Sequence, residues 1–279
     1  MFLDLFVNAI DSDLYLKGAL FMDNLNKIIN IFRFSINDLK KRYAGSIGGI
    51  LWAYIQPLVA ILVFWLVFEV GFKNPPVEDI PFILWLVPSY VAWTYINDSI
   101  LQSSNTLYEY SYLVKKIKFN IYILPIIKVV SSLIIHLFFI VFIFAIYLFY
   151  GYHLHIAWFQ VLYYTFCLTF LLSGIAWLLS SLSVFWKDIS QLINVILQIG
   201  FWMTPVFWNP DGMNENIVKV LKLNPFYYII QGYRDCFINH SAFWNYELLT
   251  PYFWIISSGI FVLGFVVFKK LARHYSDLL

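Results

Sequence analysis

Four residues of the fifth apolar run carry the most readable chemistry in this sequence: Gln191, Asn194, Gln198 and Trp202, spaced three or four residues apart. That spacing puts them on one face of a helix. Uncharged amides are costly in lipid unless partnered, so the stripe must face protein or a wet cavity. One reading is hydrogen bonding between helices. The other is a path for a hydroxyl-rich ligand, because amides both donate and accept and Trp202 continues the face. Aromatic residues make up 21% of the chain. In the first apolar run, Trp52 belongs with an interfacial belt, whereas Tyr54, Phe64, Trp65 and Phe68 lie deeper and offer rings on which sugar C–H faces can stack. These eight path residues are Tyr54, Phe64, Trp65, Phe68, Gln191, Asn194, Gln198 and Trp202.

Catalytic signatures are absent from the sequence. Gly45, Gly48 and Gly49 are not followed by the lysine of a phosphate loop, and no H-E-x-x-H, C-x-x-C or G-x-S-x-G occurs. His136, His153, His155, His240 and His274 are scattered, and Cys167 and Cys236 fit neither a disulfide framework nor a metal site. The expectation is a chain that is no enzyme and binds no metal or cofactor, with any energy input supplied by another subunit.

The elements carrying these residues follow from composition. The chain of 279 residues is 61% hydrophobic and 12% charged, against about 45–50% and about 25% in soluble domains. Such an excess suits a bilayer rather than water. Six runs approach the ~20 apolar residues that cross a hydrocarbon core: Ile50–Val70, Phe82–Leu101, Ile121–Tyr150, Ala157–Phe185, Ile189–Val206 and Pro251–Lys269. They are continuously apolar, which excludes barrel strands. With both ends cytoplasmic, most of the 18 Lys and Arg fall inside, and only Lys73, Lys219, Lys222 and Arg234 fall outside. Met1–Phe21 reads as no signal peptide, since Asp4, Asp11 and Asp13 replace a basic leader. The predicted fold is an all-α integral membrane protein with six spans. Residues 1–49 form a cytoplasmic segment, and 50–279 the membrane domain, with a cytoplasmic loop at 105–120 and an outer region at 207–250.

Two segments are neither spans nor plain loops. Leu25, Ile28, Ile29, Phe32, Ile36, Leu39 and Tyr43 recur at helical spacing with Asn30, Arg33, Asn37, Lys40 and Lys41 on other faces, the pattern of an amphipathic helix on the membrane surface. Met213–Leu221 and Phe226–Ile238, parted at Asn224-Pro225, are too short to span and read as re-entrant or interfacial outer helices. Counting 1.5 Å per residue puts Asp98 about 24 Å from the outer end of the second run and Lys128 about 10 Å from the inner end of the third. Those depths nearly coincide, and the two read as a neutralising buried pair.

A resemblance emerges at Lys41-Arg42-Tyr43-Ala44-Gly45-Ser46-Ile47-Gly48-Gly49-Ile50-Leu51-Trp52-Ala53-Tyr54-Ile55-Gln56-Pro57-Leu58. This stretch resembles the entry to the first span in ABC type-2 permeases of the polysaccharide-export family. Leu113-Val114-Lys115-Lys116-Ile117-Lys118-Phe119, Phe201-Trp202-Met203-Thr204-Pro205-Val206 and Leu223-Asn224-Pro225-Phe226, continuing to Tyr233-Arg234-Asp235, agree in order. The family usually has Arg-Asp after the fourth span; here Lys187-Asp188 keeps the charge without bidentate geometry.

The resemblance implies a homodimer on two copies of a cytosolic ATPase that holds ATP and Mg. It also implies a lipid-linked polysaccharide substrate on undecaprenyl diphosphate (O antigen, capsule precursor or wall teichoic acid) and a bacterial inner, or cytoplasmic, membrane. No nucleic acid enters. Under it, Glu109, Tyr110, Tyr112, Leu113, Lys115 and Lys116 dock the ATPase, and Tyr227, Tyr228, Gln231, Tyr233 and Arg234 gate the exit. Lys40, Lys41 and Arg42 hold a lipid diphosphate at headgroup depth; attraction to anionic lipid serves those three equally well. A drug or lipid efflux permease of the same superfamily is the rival reading, and a membrane transferase a weaker one.

Overall fold

A computed structural model describes residues 28–73, 76–77, 80–115, 119–210 and 213–279. Every regular element among them is a helix, as continuous apolar runs require where no water can satisfy the backbone. Helix α1 covers 28–42. The chain bends through 43–48 into α2 (Gly49–Gly71), which starts with a 3-10 turn, contains Pro57 and ends in a π-helical turn. Then come α3 (Phe82–Ser104), the short α4 (Thr106–Glu109) and α5 (Ser111–Val114), α6 (Ile123–Phe149) and α7 (Ile156–Phe185). The remaining elements are α8 (Ile189–Met203), α9 (Glu215–Leu221), α10 (Pro225–Phe237), α11 (Leu249–Leu271) and α12 (Tyr275–Leu278).

Among the described residues, four helices are long and apolar enough to cross a membrane: α2, α6, α7 and the stretch Leu249–Leu278 that includes α11. The other two expected spans differ from them. α3 has the length, about 35 Å, but carries Ser89, Thr94, Asn97, Asp98, Ser99 and Gln102. α8 has 15 residues, about 22 Å against a core of about 30 Å. It stops at Met203 rather than Val206 because Pro205 disfavours helix at Thr204, whose φ −104° and ψ 136° are extended.

α3 is the hub. Seventeen of its 23 residues are buried, and α6, α7, α8 and α10 all pack on it. Glu69, at the end of α2, accepts the Ile83 N–H at 3.2 Å and closes the first turn of α3. By contrast, only Ala53 and Ile61 are buried on α2 between Trp52 and Phe64. α10 lies inside the bundle, with ten of its 13 residues buried. Pro225 occupies its first turn, where the missing N–H costs nothing, and Asn224 caps it by accepting the Phe226 N–H at 3.0 Å.

α1 packs one face on the bundle and leaves its first apolar residues outside it. Leu25 lies outside the described residues. Ile28, Ile29 and Phe32 are exposed, and the face packed on the protein holds Ser35, Asp38 and Leu39. Ser131 of α6 donates to the Ser35 carbonyl at 3.0 Å, and Ser35 donates to the Ile127 carbonyl at 3.2 Å.

α7 and α11 pack along each other more extensively than any other pair. A Cβ added at Gly264 would sit 2.1 Å from the Gly174 carbonyl oxygen, and one at Gly174 would sit 2.6 Å from Phe261 Cα. Both obstacles are backbone, so the helices would have to part. Gly264→Ala should therefore lower stability by about 1–3 kcal/mol, read as thermal unfolding of the purified protein in detergent. Gly259→Ala, which meets open space, should stay within about 0.5 kcal/mol of the parent.

Candidate functional site

A cleft of about 510 Å³ opens between α2, α3, α6 and α8. α3 faces it with Tyr90, Trp93, Thr94, Asn97 and Asp98, which recur at the three- and four-residue steps of one helical face. α2 adds Gln56 and Phe64, and α8 adds Gln198, Phe201 and Trp202. Behind the cleft, His136 of α6 stacks on Tyr95 at 4.6 Å, and its Nε2 lies 2.7 Å from the Tyr233 hydroxyl. That hydroxyl lies 2.6 Å from Thr165 Oγ1. The floor is therefore fixed by a closed polar cluster, while rings and amides face the opening. Such a lining can stack on sugar C–H faces and exchange hydrogen bonds with hydroxyls, with Asp98 as its one carboxylate.

Of the eight path residues, Phe64, Gln198 and Trp202 line this cleft. Gln191 and Asn194 are exposed on the same side of α8, opposite the buried Ile189, Ile193 and Leu197. Tyr54 instead packs edge-on against Phe138 at 4.6 Å, Phe68 rests against Phe82 at 5.2 Å, and Trp65 is half-buried outside the lining. The contribution of α3 escaped the sequence reading, although Tyr90, Thr94 and Asn97 carry the same periodic signal as the stripe on α8.

At the end of the cleft near Tyr43, the expected Asp98–Lys128 pair does not form. Asp98 is held by Arg42, whose Nη1 donates at 2.8 Å, and by Ser132 Oγ at 2.6 Å. Lys128 donates to Asp38 at 2.7 Å and Glu109 at 2.5 Å. Chain length places the two at similar depth, but a third element, α1, inserts Asp38 and Arg42 between them. Arg42 Nη2 lies 3.6 Å from Asp38, which also accepts from Tyr110 at 2.6 Å and Ser131 at 3.0 Å. Burial by itself would raise the Asp38 pKa. Lys128, the Tyr110 hydroxyl and Arg42 outweigh it and hold Asp38 below the usual carboxylate value. Burial likewise disfavours the Arg42 guanidinium, yet Asp98 and Asp38 together raise its pKa above the ordinary one.

Arg42 is thus committed to carboxylates, while Lys40 and Lys41 stay exposed. Lys41 lies over the rings of Tyr110 and Tyr112, at 5.1 and 5.9 Å. Within α4 and α5, Tyr112 and Lys115 face solvent and Glu109 is partly exposed, but Tyr110 and Leu113 are buried in a cluster with Leu107, Ile127 and Tyr275. Lys116 lies outside the described residues. The expected gate residues Tyr227, Tyr228, Tyr233 and Arg234 are buried, and Gln231 is half-buried. Arg234 stacks over Trp85 at 3.7 Å and donates to the carbonyls of Pro205 and Val206, at 2.9 and 3.2 Å, fastening the chain beyond α8.

A family model described as ABC-2 type transporter matches residues 31–238. Two relatives from Klebsiella pneumoniae, each called "O-antigen export system permease protein RfbA", are 24% identical over 251 and 254 residues; both alignments cover 87% of this chain and 92% of the relative. A Myxococcus xanthus protein of the same name is 25% identical over 207 residues, 73% of this chain and 78% of its own length.

The charge cluster yields an unequal pair of mutations. Asp38→Asn leaves the buried Lys128 ammonium with only a partly exposed partner and should cost about 3–5 kcal/mol. Glu109→Gln removes a carboxylate that is 42% exposed and should cost under about 1 kcal/mol, since solvent screens it and Asp38 remains. Because the Asp38 pKa is depressed, its contribution is fully present at neutral pH. It is lost only as pH falls below about 4, through the folded-state value. Thermal unfolding of the three proteins at pH 7, and of the parent from pH 7 to 3, checks both statements.

Proposed function

This chain belongs to the ABC-2 type transporter family, and from that premise we propose that it is the permease subunit of an ATP-driven exporter of lipid-linked O antigen. The observation that carries the reading is the cleft lined by Trp93, Phe201, Trp202, Gln56, Asn97 and Gln198. It combines ring faces with uncharged amides, the lining a hydrated glycan needs. The names of the relatives support the same substrate. In this reading α3 and α8 join the four long apolar helices as a fifth and sixth crossing. Their polar and short character suits helices that face protein or water rather than lipid. α9 and α10 belong to the outer half, and both chain ends face the cytoplasm of a bacterial inner membrane.

Two copies of the chain enclose the path. The exposed amides Gln191 and Asn194 then gain a wet or protein-lined neighbour instead of acyl chains. The partner ATPase docks on α4 and α5, where Tyr112 and Lys115 are solvent-facing. Leu113, expected among the docking contacts, supports the segment from within. Lys40 and Lys41 are left to meet the lipid diphosphate, while Arg42 stays bound to Asp98.

The test is reconstitution of the chain with its ATPase in nanodiscs. Lipid-linked O-antigen glycan should stimulate hydrolysis, and the chain alone should hydrolyse nothing. Gln198→Ala should weaken half-maximal stimulation roughly fivefold, the worth of one net hydrogen bond of about 1 kcal/mol. Tyr112→Asp should break co-purification with the ATPase while leaving the chain's own unfolding temperature unchanged, since Tyr112 is exposed. Stimulation by amphipathic drugs but by no glycan would replace this substrate with that of an efflux permease.

A further inference from the structure

Five charged side chains from four helices form one continuous line between the α4–α5 segment and the cleft. Glu109 of α4 bonds Lys128 of α6 at 2.5 Å, Lys128 bonds Asp38 of α1 at 2.7 Å, Asp38 lies 3.6 Å from Arg42, and Arg42 bonds Asp98 of α3 at 2.8 Å. The middle is largely buried, with Lys128 and Asp38 each 2% exposed and Arg42 12%, beside a cavity of about 300 Å³ that they line together with Lys41, Gln102 and Glu109. Only the terminal carboxylates are accessible, Glu109 at 42% and Asp98 at 32%. One end therefore opens beside α5, and the other lines the cleft.

The links differ in how easily they open. Freeing Lys128 from Asp38 would strand a buried cation, which is costly. Freeing Glu109 returns a partly exposed carboxylate to water, and Lys128 keeps Asp38. The line thus has a releasable contact at each end, Glu109 beside α4 and Asp98 at the cleft, with the buried Lys128–Asp38 pair fixed between them. Release at the α4 end has a defined consequence. With Glu109 bound, Lys128 divides its charge between two carboxylates, and Asp38 shares itself with Arg42. With Glu109 withdrawn, Asp38 is drawn toward Lys128, its long contact to Arg42 weakens, and Arg42 is left to grip Asp98.

We propose that Glu109, Lys128, Asp38 and Arg42 are positioning residues that set how firmly Asp98 is held at the cleft according to whether α4 is engaged by a partner. The assignment rests on the reading of α4 and α5 as the docking segment. Its ligand chemistry at the cleft end is a hydroxyl-bearing substrate, to which a loosely held Asp98 carboxylate offers more open acceptor sites than a gripped one.

The experiment uses the complex of the full chain with its ATPase. A single reporter thiol is placed at Thr94→Cys, one helical turn from Asp98 on the cleft wall, after replacing the buried Cys167 and Cys236 with Ser. Its rate of modification by a water-soluble thiol reagent is measured with and without a non-hydrolysable ATP analogue. The parent should change roughly fivefold or more, the lower end of ordinary site-to-site coupling. Glu109→Gln should abolish that change, Asp98→Asn should abolish it too, and the double variant should match either single. Where Asp98→Asn does not fold, Ser132→Ala, which removes the hydroxyl donating to Asp98 at 2.6 Å, takes its place. A full response in Glu109→Gln overturns the proposal, as do effects that multiply in the double variant or a parent thiol blind to nucleotide. Because nucleotide rather than glycan is the stimulus, a wrong substrate leaves this result standing.

Discussion

A lysine ammonium cannot remain charged inside an apolar helix bundle without carboxylates at contact distance, and that requirement on Lys128 organises one end of the molecule. Asp38 meets it from α1, which is fixed to α6 by charge as well as by packing. Glu109 meets it from the opposite side and fixes α4. Arg42 then has one acid within its own helix and a second on α3, and Asp98 is brought to the edge of the cleft.

The other end depends on α3, whose polar residues are sheltered from lipid by the helices packed around it. A helix with Ser, Thr, Asn and Asp along its length is best surrounded by protein or by water in a cleft, and both occur here. α6, α7 and α10 cover it on the packed sides. α2 and α8 leave the face with Tyr90, Trp93, Thr94 and Asn97 open. α10 takes part through Arg234, which fastens Pro205 and Val206 beyond α8 and so supports the wall carrying Gln198 and Trp202. Its buried Tyr233 braces the cleft floor through His136 and Thr165.

Legibility in the sequence varied with the kind of signal. The stripe on α8 was readable because amides in an apolar run stand out, and its opposite face of Ile189, Ile193 and Leu197 is buried as helical spacing demands. The aromatics of α2 were harder to sort: Phe64 lines the cleft, while Tyr54 and Phe68 turn toward Phe138 and Phe82. Composition reports how many rings a span has, not the rotation at which a neighbour meets it. The α10 residues looked like an outer gate because an interrupted apolar segment is too short to cross. Length says nothing of whether a short helix lies on a bundle or is folded into it.

By itself the sequence determined that the chain is helical, built for a bilayer, and without the motifs of an enzyme, because those properties follow from composition and local spacing. It also carried the family in four ordered stretches. The tertiary structure decided which charges pair, which face of α1 meets the protein, and that α3 supplies most of the polar wall of the cleft. Those outcomes depend on azimuth and on third partners. Rise per residue places Asp98 and Lys128 at a similar depth, but only the docking of α1 between them decides that each is neutralised by someone else.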